Sequence, residues 1–81
     1  MMKARVVVTL KNGVLDPQGQ AIENSLSSLG FSGVAEVRQG KVFDLEVDGT
    51  DVESARSQIT AMCDKLLANT VIENYAIEIS N

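Results

Sequence analysis

The chain has 81 residues, 44% of them hydrophobic and 22% charged, and a chain of this length closes about one hydrophobic core. We therefore expect a single domain over residues 1–81. Seven Lys and Arg against eleven Asp and Glu give a net charge of −4, which argues against nucleic acid as a partner because phosphate binding needs a basic surface.

The first predicted elements are a strand over residues 3–11 and a helix after it. Apolar and polar residues alternate along the strand, as is typical of a strand with one buried face. The inward positions are Ala4, Val6, Val8 and Leu10. Asp16 followed by Pro17 predicts the start of the helix, and Gly30 predicts its end. One face of this helix carries Ile22, Leu26 and Leu29.

A second helix is predicted over about residues 51–68, because residues 50–53 (Thr-Asp-Val-Glu) fit a capping box. A last strand follows over about residues 72–80. Its inward residues are Tyr75, Ile77 and Ile79. The second helix presents a stripe made of Val52, Ala55, Ile59, Met62, Cys63 and Leu66.

The middle segment, residues 34–47, keeps one phase of alternation from end to end. A two-residue hairpin would reverse that phase on one of its arms, so it fits one buried face poorly. Two geometries preserve the phase and both stay open: a three-residue turn over residues 38–40, or one long strand kinked near Gly40. The first gives a self-contained monomer. The second leaves half of the strand for a second chain to pair by swapping equivalent segments.

This element order predicts a ferredoxin-like α+β fold, β-α-β(β)-α-β, in which helices cover one face of a mainly antiparallel sheet. Val7 and Val42 have the phase that points away from the predicted core. Such a sheet has exposed edges and an uncovered face, so we expect self-association.

Few residues suggest chemistry. Asp44, Glu46 and Asp48 form an acidic row, which we interpret as a solvated strand face rather than a cation site because no loop supplies further oxygen ligands. Cys63 lies on the apolar stripe, so we interpret it as a buried structural thiol. The chain has no histidine, the usual general base at neutral pH, and one cysteine, which excludes an internal disulfide.

The sequence indicates a cytoplasmic protein without a membrane partner. No apolar run approaches the roughly 20 residues of a membrane span. The N-terminus also lacks the apolar region and cleavage site of a signal peptide.

Two segments are candidates for contact with a protein partner. A glycine in the first helical turn costs about 1 kcal/mol relative to alanine, so its presence indicates either close approach of another backbone or partner chain, or a kink. Two cations flank residues 39–40 on an acidic protein, which indicates either a solvated turn or an acidic partner surface. The candidate residues are Asp16, Pro17, Gln18, Gly19, Arg38 and Lys41.

Taken together, several segments resemble a known family, PurS, the small subunit of phosphoribosylformylglycinamidine synthase. The resemblance is carried by the opening strand (residues 3–8) and by residues 10–19 (Leu-Lys-Asn-Gly-Val-Leu-Asp-Pro-Gln-Gly), which are followed by Ala21-Ile22. It continues in residues 37–41, 44–47 and 63–75. One departure is Thr70, where the family often has proline, and this should loosen the turn slightly.

The resemblance implies a subunit without catalytic residues or a cofactor of its own. In the split enzyme, a synthetase subunit uses ATP to convert formylglycinamide ribonucleotide (FGAR) to its amidine (FGAM), a glutaminase subunit releases ammonia, and the small subunit joins the two. The resemblance also implies a homodimer or tetramer with swapped segments. A different class, a dimeric ferredoxin-like module that senses a small ligand, is the alternative interpretation.

Overall fold

The structure is a computed structural model that describes residues 1–80. Its three strands and two helices follow the predicted order, and their bounds lie close to the predicted ones outside residues 34–47. The elements are β1 (Met2–Leu10), α1 (Pro17–Ser28), β2 (Gly40–Val47), α2 (Val52–Met62) with a π-helical turn (Cys63–Leu67), and β3 (Glu73–Ser80).

The three strands form one antiparallel sheet in the order β2-β1-β3. Val6 of β1 lies between Phe43 of β2 and Ile77 of β3, which gives these three residues the same face. That face carries the hydrophobic core and packs against α2, as the ferredoxin-like α+β prediction requires. The buried core residues are Ala4, Val6, Val8, Ile59, Cys63 and Ala68. The predicted outward direction of Val7 and Val42 is confirmed by their pairing on the opposite face.

The middle segment resolves into two parts. Residues 34–39 have no regular secondary structure, and β2 begins at Gly40, the position of the predicted kink. The segment therefore contains neither a hairpin nor one continuous strand within this chain. Residues 37–39 lie instead beside the loop that joins β1 to α1, to which Gln39 and Arg38 are hydrogen-bonded.

Helix α1 does not cover the sheet of its own chain, contrary to the sequence-based expectation. Its apolar face is largely open: Ile22 is 41% exposed and Leu29 is 73% exposed. The molecule is correspondingly long, 49 × 26 × 14 Å, with a radius of gyration of 16.1 Å where about 12 Å is typical of a compact chain of this length. The helix is nevertheless well capped, since Gly30 at φ 98° ends it and the Phe31 amide returns to the Leu26 carbonyl.

Helix α2 and the turn after it pack on the sheet through Ala55, Ile59 and Cys63 of the predicted stripe, while the other stripe residues are partly or largely exposed. Its N-cap is Asp51, whose carboxylate accepts from the Glu53 amide at 3.2 Å, rather than Thr50 as the capping box predicted. At the other end the Ala68 amide bonds the Cys63 carbonyl at 3.0 Å, five residues back. This wider turn changes the angular positions that follow, so Leu66, predicted to be buried, is 83% exposed and Ala68 is buried.

Candidate interaction site

Asp16 is the only buried charged residue in the part of the chain that the structure describes, at 7% exposure. One carboxylate oxygen, Oδ1, accepts from the Gly19 amide at 2.9 Å and caps α1. The other, Oδ2, accepts from the Gln39 amide at 2.7 Å. These amides, that of Gln39 first, hold the pKa of Asp16 below its usual range. Asp16 thus ties the start of α1 to the segment that leads into β2.

Arg38 makes the reverse connection. Its guanidinium donates from Nη1 to the Val14 carbonyl at 3.1 Å and from Nη2 to the Lys11 carbonyl at 3.2 Å. A glycine is required at position 19 because a Cβ there would collide with the carbonyl oxygen of Val37. Close backbone approach therefore explains this glycine. We call Asp16, Gly19, Arg38 and Gln39 the clasp.

Lys41 lies beside the clasp, as the second residue of β2. Its Nζ is 3.6 Å from Glu73 Oε2 and 5.9 Å from the ring centre of Phe43. A shallow cleft of about 250 Å³ lies here. It is lined by Val8, Leu10, Asp16, Pro17, Gln18, Gln39, Gly40, Lys41 and Glu73.

The structure thus brings the six candidate contact residues together, although they come from two separate segments. Asp16 and Arg38 are engaged within the chain, so their polar groups serve its own architecture. Pro17, Gln18 and Lys41 are exposed, and the Lys41 ammonium is paired with Glu73.

Of the acidic row, Asp48 lies in the bend after β2, and Asp44 and Glu46 lie on the opposite, outer face of the sheet. There Arg5 Nε donates to Asp44 Oδ1 at 2.9 Å, with both side chains more than half exposed. This bond lowers the pKa of Asp44 and raises that of Arg5. Within residues 1–80, no group of three or more Cys, Asp or Glu side chains is arranged to hold a metal ion. The row is a charged surface with one paired carboxylate.

Cys63 is buried in the core, where desolvation raises the pKa of its thiol, with a smaller contribution from Asp64. A raised pKa disfavours the reactive thiolate, in agreement with a structural thiol. The hydroxyl of Tyr75 donates to Asp64 Oδ1 at 2.9 Å, and this bond raises the pKa of Tyr75. The buried Cys63 side chain and the bond between Tyr75 and Asp64 both stabilise the contact between the π-helical turn and the sheet.

Along residues 1–80, none of the helices combines the length and apolar character of a membrane span.

Sequence reasoning identified Asp16 as a helix cap but missed its second bond, to the Gln39 amide. It also missed the internal role of Arg38. The available signal was the coincidence of an Asp-Pro helix start, a first-turn glycine and an arginine before β2. No local rule relates these positions, because they are more than 20 residues apart in the chain.

Comparison with known proteins gives one consistent family. A family model described as "PurS: Phosphoribosylformylglycinamidine (FGAM) synthase" matches residues 3–81. The PurS subunit of Synechocystis is 50% identical over 76 residues, covering 94% of this chain and 76% of that protein. The PurS subunit of Methanocaldococcus jannaschii is 43% identical over 79 residues, covering 98% of this chain and 95% of that protein.

Solved structures agree with the sequence comparison. The crystal structure of M. jannaschii PurS superposes with a TM-score of 0.92 at 41% identity, covering 100% of this chain and 98% of that one. A chain of the structure described as "PurLQS from Thermotoga maritima" gives 0.86 at 30% identity, covering 99% of each chain. Both the sequence and the fold therefore match over nearly the whole length, and the chain belongs to the PurS family of phosphoribosylformylglycinamidine synthase subunits.

Proposed function

We propose that this chain is the non-catalytic adaptor subunit of FGAM synthase, in the conversion of FGAR to FGAM in de novo purine biosynthesis. In this role it joins the ATP-dependent synthetase subunit to the glutaminase subunit and works in the cytoplasm. The observation that carries the proposal is the family match over residues 3–81. The similarity to a chain of the T. maritima PurLQS structure supports assembly with the two larger subunits.

The chemistry of the reaction explains why an adaptor is needed. Ammonia released from glutamine must reach the synthetase site before it escapes to solvent or is protonated. An assembled complex that excludes water along this path meets both conditions. The adaptor then supplies surfaces rather than catalytic groups, and it needs no cofactor.

We further propose that the adaptor is at least a homodimer, because one chain leaves two apolar surfaces uncovered. The first is the stripe of α1 around Ile22 and Leu26. The second is the inner face of β2, since α2 packs against β3 and leaves the β2 side chains half-buried. Those side chains are Phe43, Leu45 and Val47. In a two-fold pair, α1 of each copy covers β2 of the other and both surfaces are buried.

The surface proposed to meet a larger subunit is the cleft rim formed by Pro17, Gln18 and Lys41. Arg38 adds a second positive charge next to this rim. Lys41 and Arg38 are exposed cations on a chain with a net charge of −4, and although Glu73 pairs with Lys41, these cations favour docking to an acidic surface.

Reconstitution tests the adaptor role directly. The synthetase and glutaminase subunits are mixed with and without this chain, and FGAM formation is measured with glutamine and, separately, with excess ammonium. We expect glutamine-dependent activity to require the chain and ammonium-dependent activity to persist without it. Undiminished glutamine-dependent activity in its absence would overturn the proposal. A metabolite that raises the melting temperature of the isolated chain would indicate the ligand-sensing alternative.

Charge reversal tests the docking rim. We expect Lys41→Glu to weaken binding of a larger subunit and to reduce the salt dependence of that binding. The matched control is Lys65→Glu, an exposed lysine on the π-helical turn. Equal binding by the two variants would remove Lys41 from the interface.

A further inference from the structure

The clasp is the polar connection between α1 and the rest of the chain. Beyond its first turn, α1 makes no extensive contact with another helix or strand within residues 1–80. Its orientation is therefore set at its N-terminal end, where Asp16 and Arg38 lie.

A small change of angle at that end has a large effect at the other. A helix of 12 residues is about 18 Å long, so a tilt of about 20° moves its C-terminal end by about 6 Å. That displacement exceeds the size of one side chain. The apolar stripe of α1 can meet a fixed surface only if this angle is fixed.

The clasp has the geometry to fix it. Asp16 bonds in two directions with two oxygens, one to the first turn of α1 and one to the Gln39 amide. Arg38 crosses back from the β2 side to two carbonyls of the loop before α1. Gly19 allows the helix to pack directly on the Val37 carbonyl. Two opposed links and one backbone contact restrain both the tilt and the rotation of α1.

We propose that Asp16 and Arg38 are positioning residues for assembly: they hold α1 away from its own sheet, at the angle at which it meets β2 of a second copy. The inference rests on the homodimer of the proposed function. Without the clasp, α1 is free to fold back on its own sheet, because the short loop is no longer tied to residues 38–39, and the dimer loses its preorganised helix.

Substitutions at Asp16 and Arg38 test this role. Asp16→Asn keeps the oxygen that caps α1 but places an amide NH₂ opposite the Gln39 amide, so the cap remains and the clasp is broken. Arg38→Ala breaks the reverse link, and Arg38→Lys retains the charge but has one donating nitrogen in place of the two that reach Val14 and Lys11. The matched control is Asp51→Asn, the same change at the N-cap of α2, where the carboxylate accepts from the Glu53 amide alone.

The readouts are the dimer dissociation constant by analytical ultracentrifugation and energy transfer between α1 of one chain and β2 of another in mixed dimers. We expect Asp16→Asn and Arg38→Ala each to raise the dissociation constant about tenfold or more and to lower interchain transfer. Arg38→Lys should recover part of both, and Asp51→Asn should change neither. Wild-type values for the two clasp variants, or an equal loss in Asp51→Asn, would overturn the proposal.

The two proposals fail in different ways. A wild-type chain that remains monomeric at all concentrations contradicts the homodimer itself. A wild type that dimerises and supports FGAM synthesis, with clasp variants that dimerise equally well, contradicts the role of the clasp alone.

Discussion

The two helices share one sequence pattern but differ in how far their apolar faces are buried. Each begins at an aspartate N-cap and carries an apolar stripe, over 12 residues in α1 and 11 in α2. Yet Ile59 of α2 is fully buried, whereas Ile22 of α1 is 41% exposed. An apolar stripe indicates that one face of a helix packs against another surface. Which surface that is depends on the connecting loops.

The largest expected effect compares these two isoleucines directly. Ile59→Ala should lower the free energy of unfolding by about 2–5 kcal/mol, because it leaves a cavity in the core. Ile22→Ala should change unfolding of the dissociated chain little and weaken the dimer instead. Urea unfolding at several protein concentrations separates the two. Equal, concentration-independent losses would mean that α1 is covered within its own chain.

A second pair of variants concerns glycines near the two ends of α1. Gly19→Ala should destabilise the chain by about 1–3 kcal/mol, because the new methyl group overlaps the Val37 carbonyl. Gly33→Ala, which meets no atom within 4 Å, should be neutral or slightly stabilising. Thermal unfolding of both variants gives the comparison, and a stable Gly19→Ala protein would mean that the backbone approach at the clasp is loose.

The pH dependence of stability should reveal the contribution of Asp16, the N-cap of α1. Because the folded chain lowers the pKa of Asp16, its contribution to stability is complete above the ordinary carboxyl value of about 4. That contribution is lost as the pH falls through the lower, folded-state pKa. The difference in urea midpoint between wild type and Asp16→Ser should therefore shrink in acid. The other carboxylates contribute equally to both proteins, so their effects cancel in this difference. A difference that stays constant down to about pH 2 would contradict a stabilising, ionised Asp16.

The smallest effect is expected at the end of α2. Leu66→Ala should change stability by no more than about 0.5 kcal/mol, since the side chain is 83% exposed beyond the π-helical turn. A loss comparable to that of Ile59→Ala in urea unfolding would show that the α2 stripe continues to Leu66 as regular helical spacing predicts.

Local patterns predicted the elements well. Alternation gave the positions and inward faces of β1 and β3, and these are confirmed. The Asp-Pro start and the glycine at the end gave the position of α1, which is also confirmed, but not the surface that its apolar face meets. The unbroken alternation of residues 34–47 left two geometries open, one of them with a kink near Gly40; β2 does begin at Gly40, although neither geometry occurs within this chain. Each of these features depends on neighbouring residues.

The rest depends on contacts that are distant in the chain. The carboxylate of Asp16 selects an amide 23 residues away, and nothing in its own segment indicates that partner. The π-helical turn, after which Ala68 rather than Leu66 is buried, has no signal in the regular spacing of the predicted stripe. The open face of α1 follows from both the loop geometry and the clasp, so the spacing of Ile22 and Leu26 could not reveal it.

The order of strands in the sheet has a consequence for how the chain folds. The central strand, β1, is the first element, and one of its two neighbours, β3, is the last, so that Val6 pairs with Ile77. Such pairing requires closure of a loop of about 70 residues and is intrinsically slow. During synthesis, β1 can pair with β2 on one side while its other edge waits for β3 to leave the ribosome. Until then one edge of β1 has no hydrogen-bonded neighbour. In this interval the unpaired edge leaves a nascent chain open to pairing with another copy.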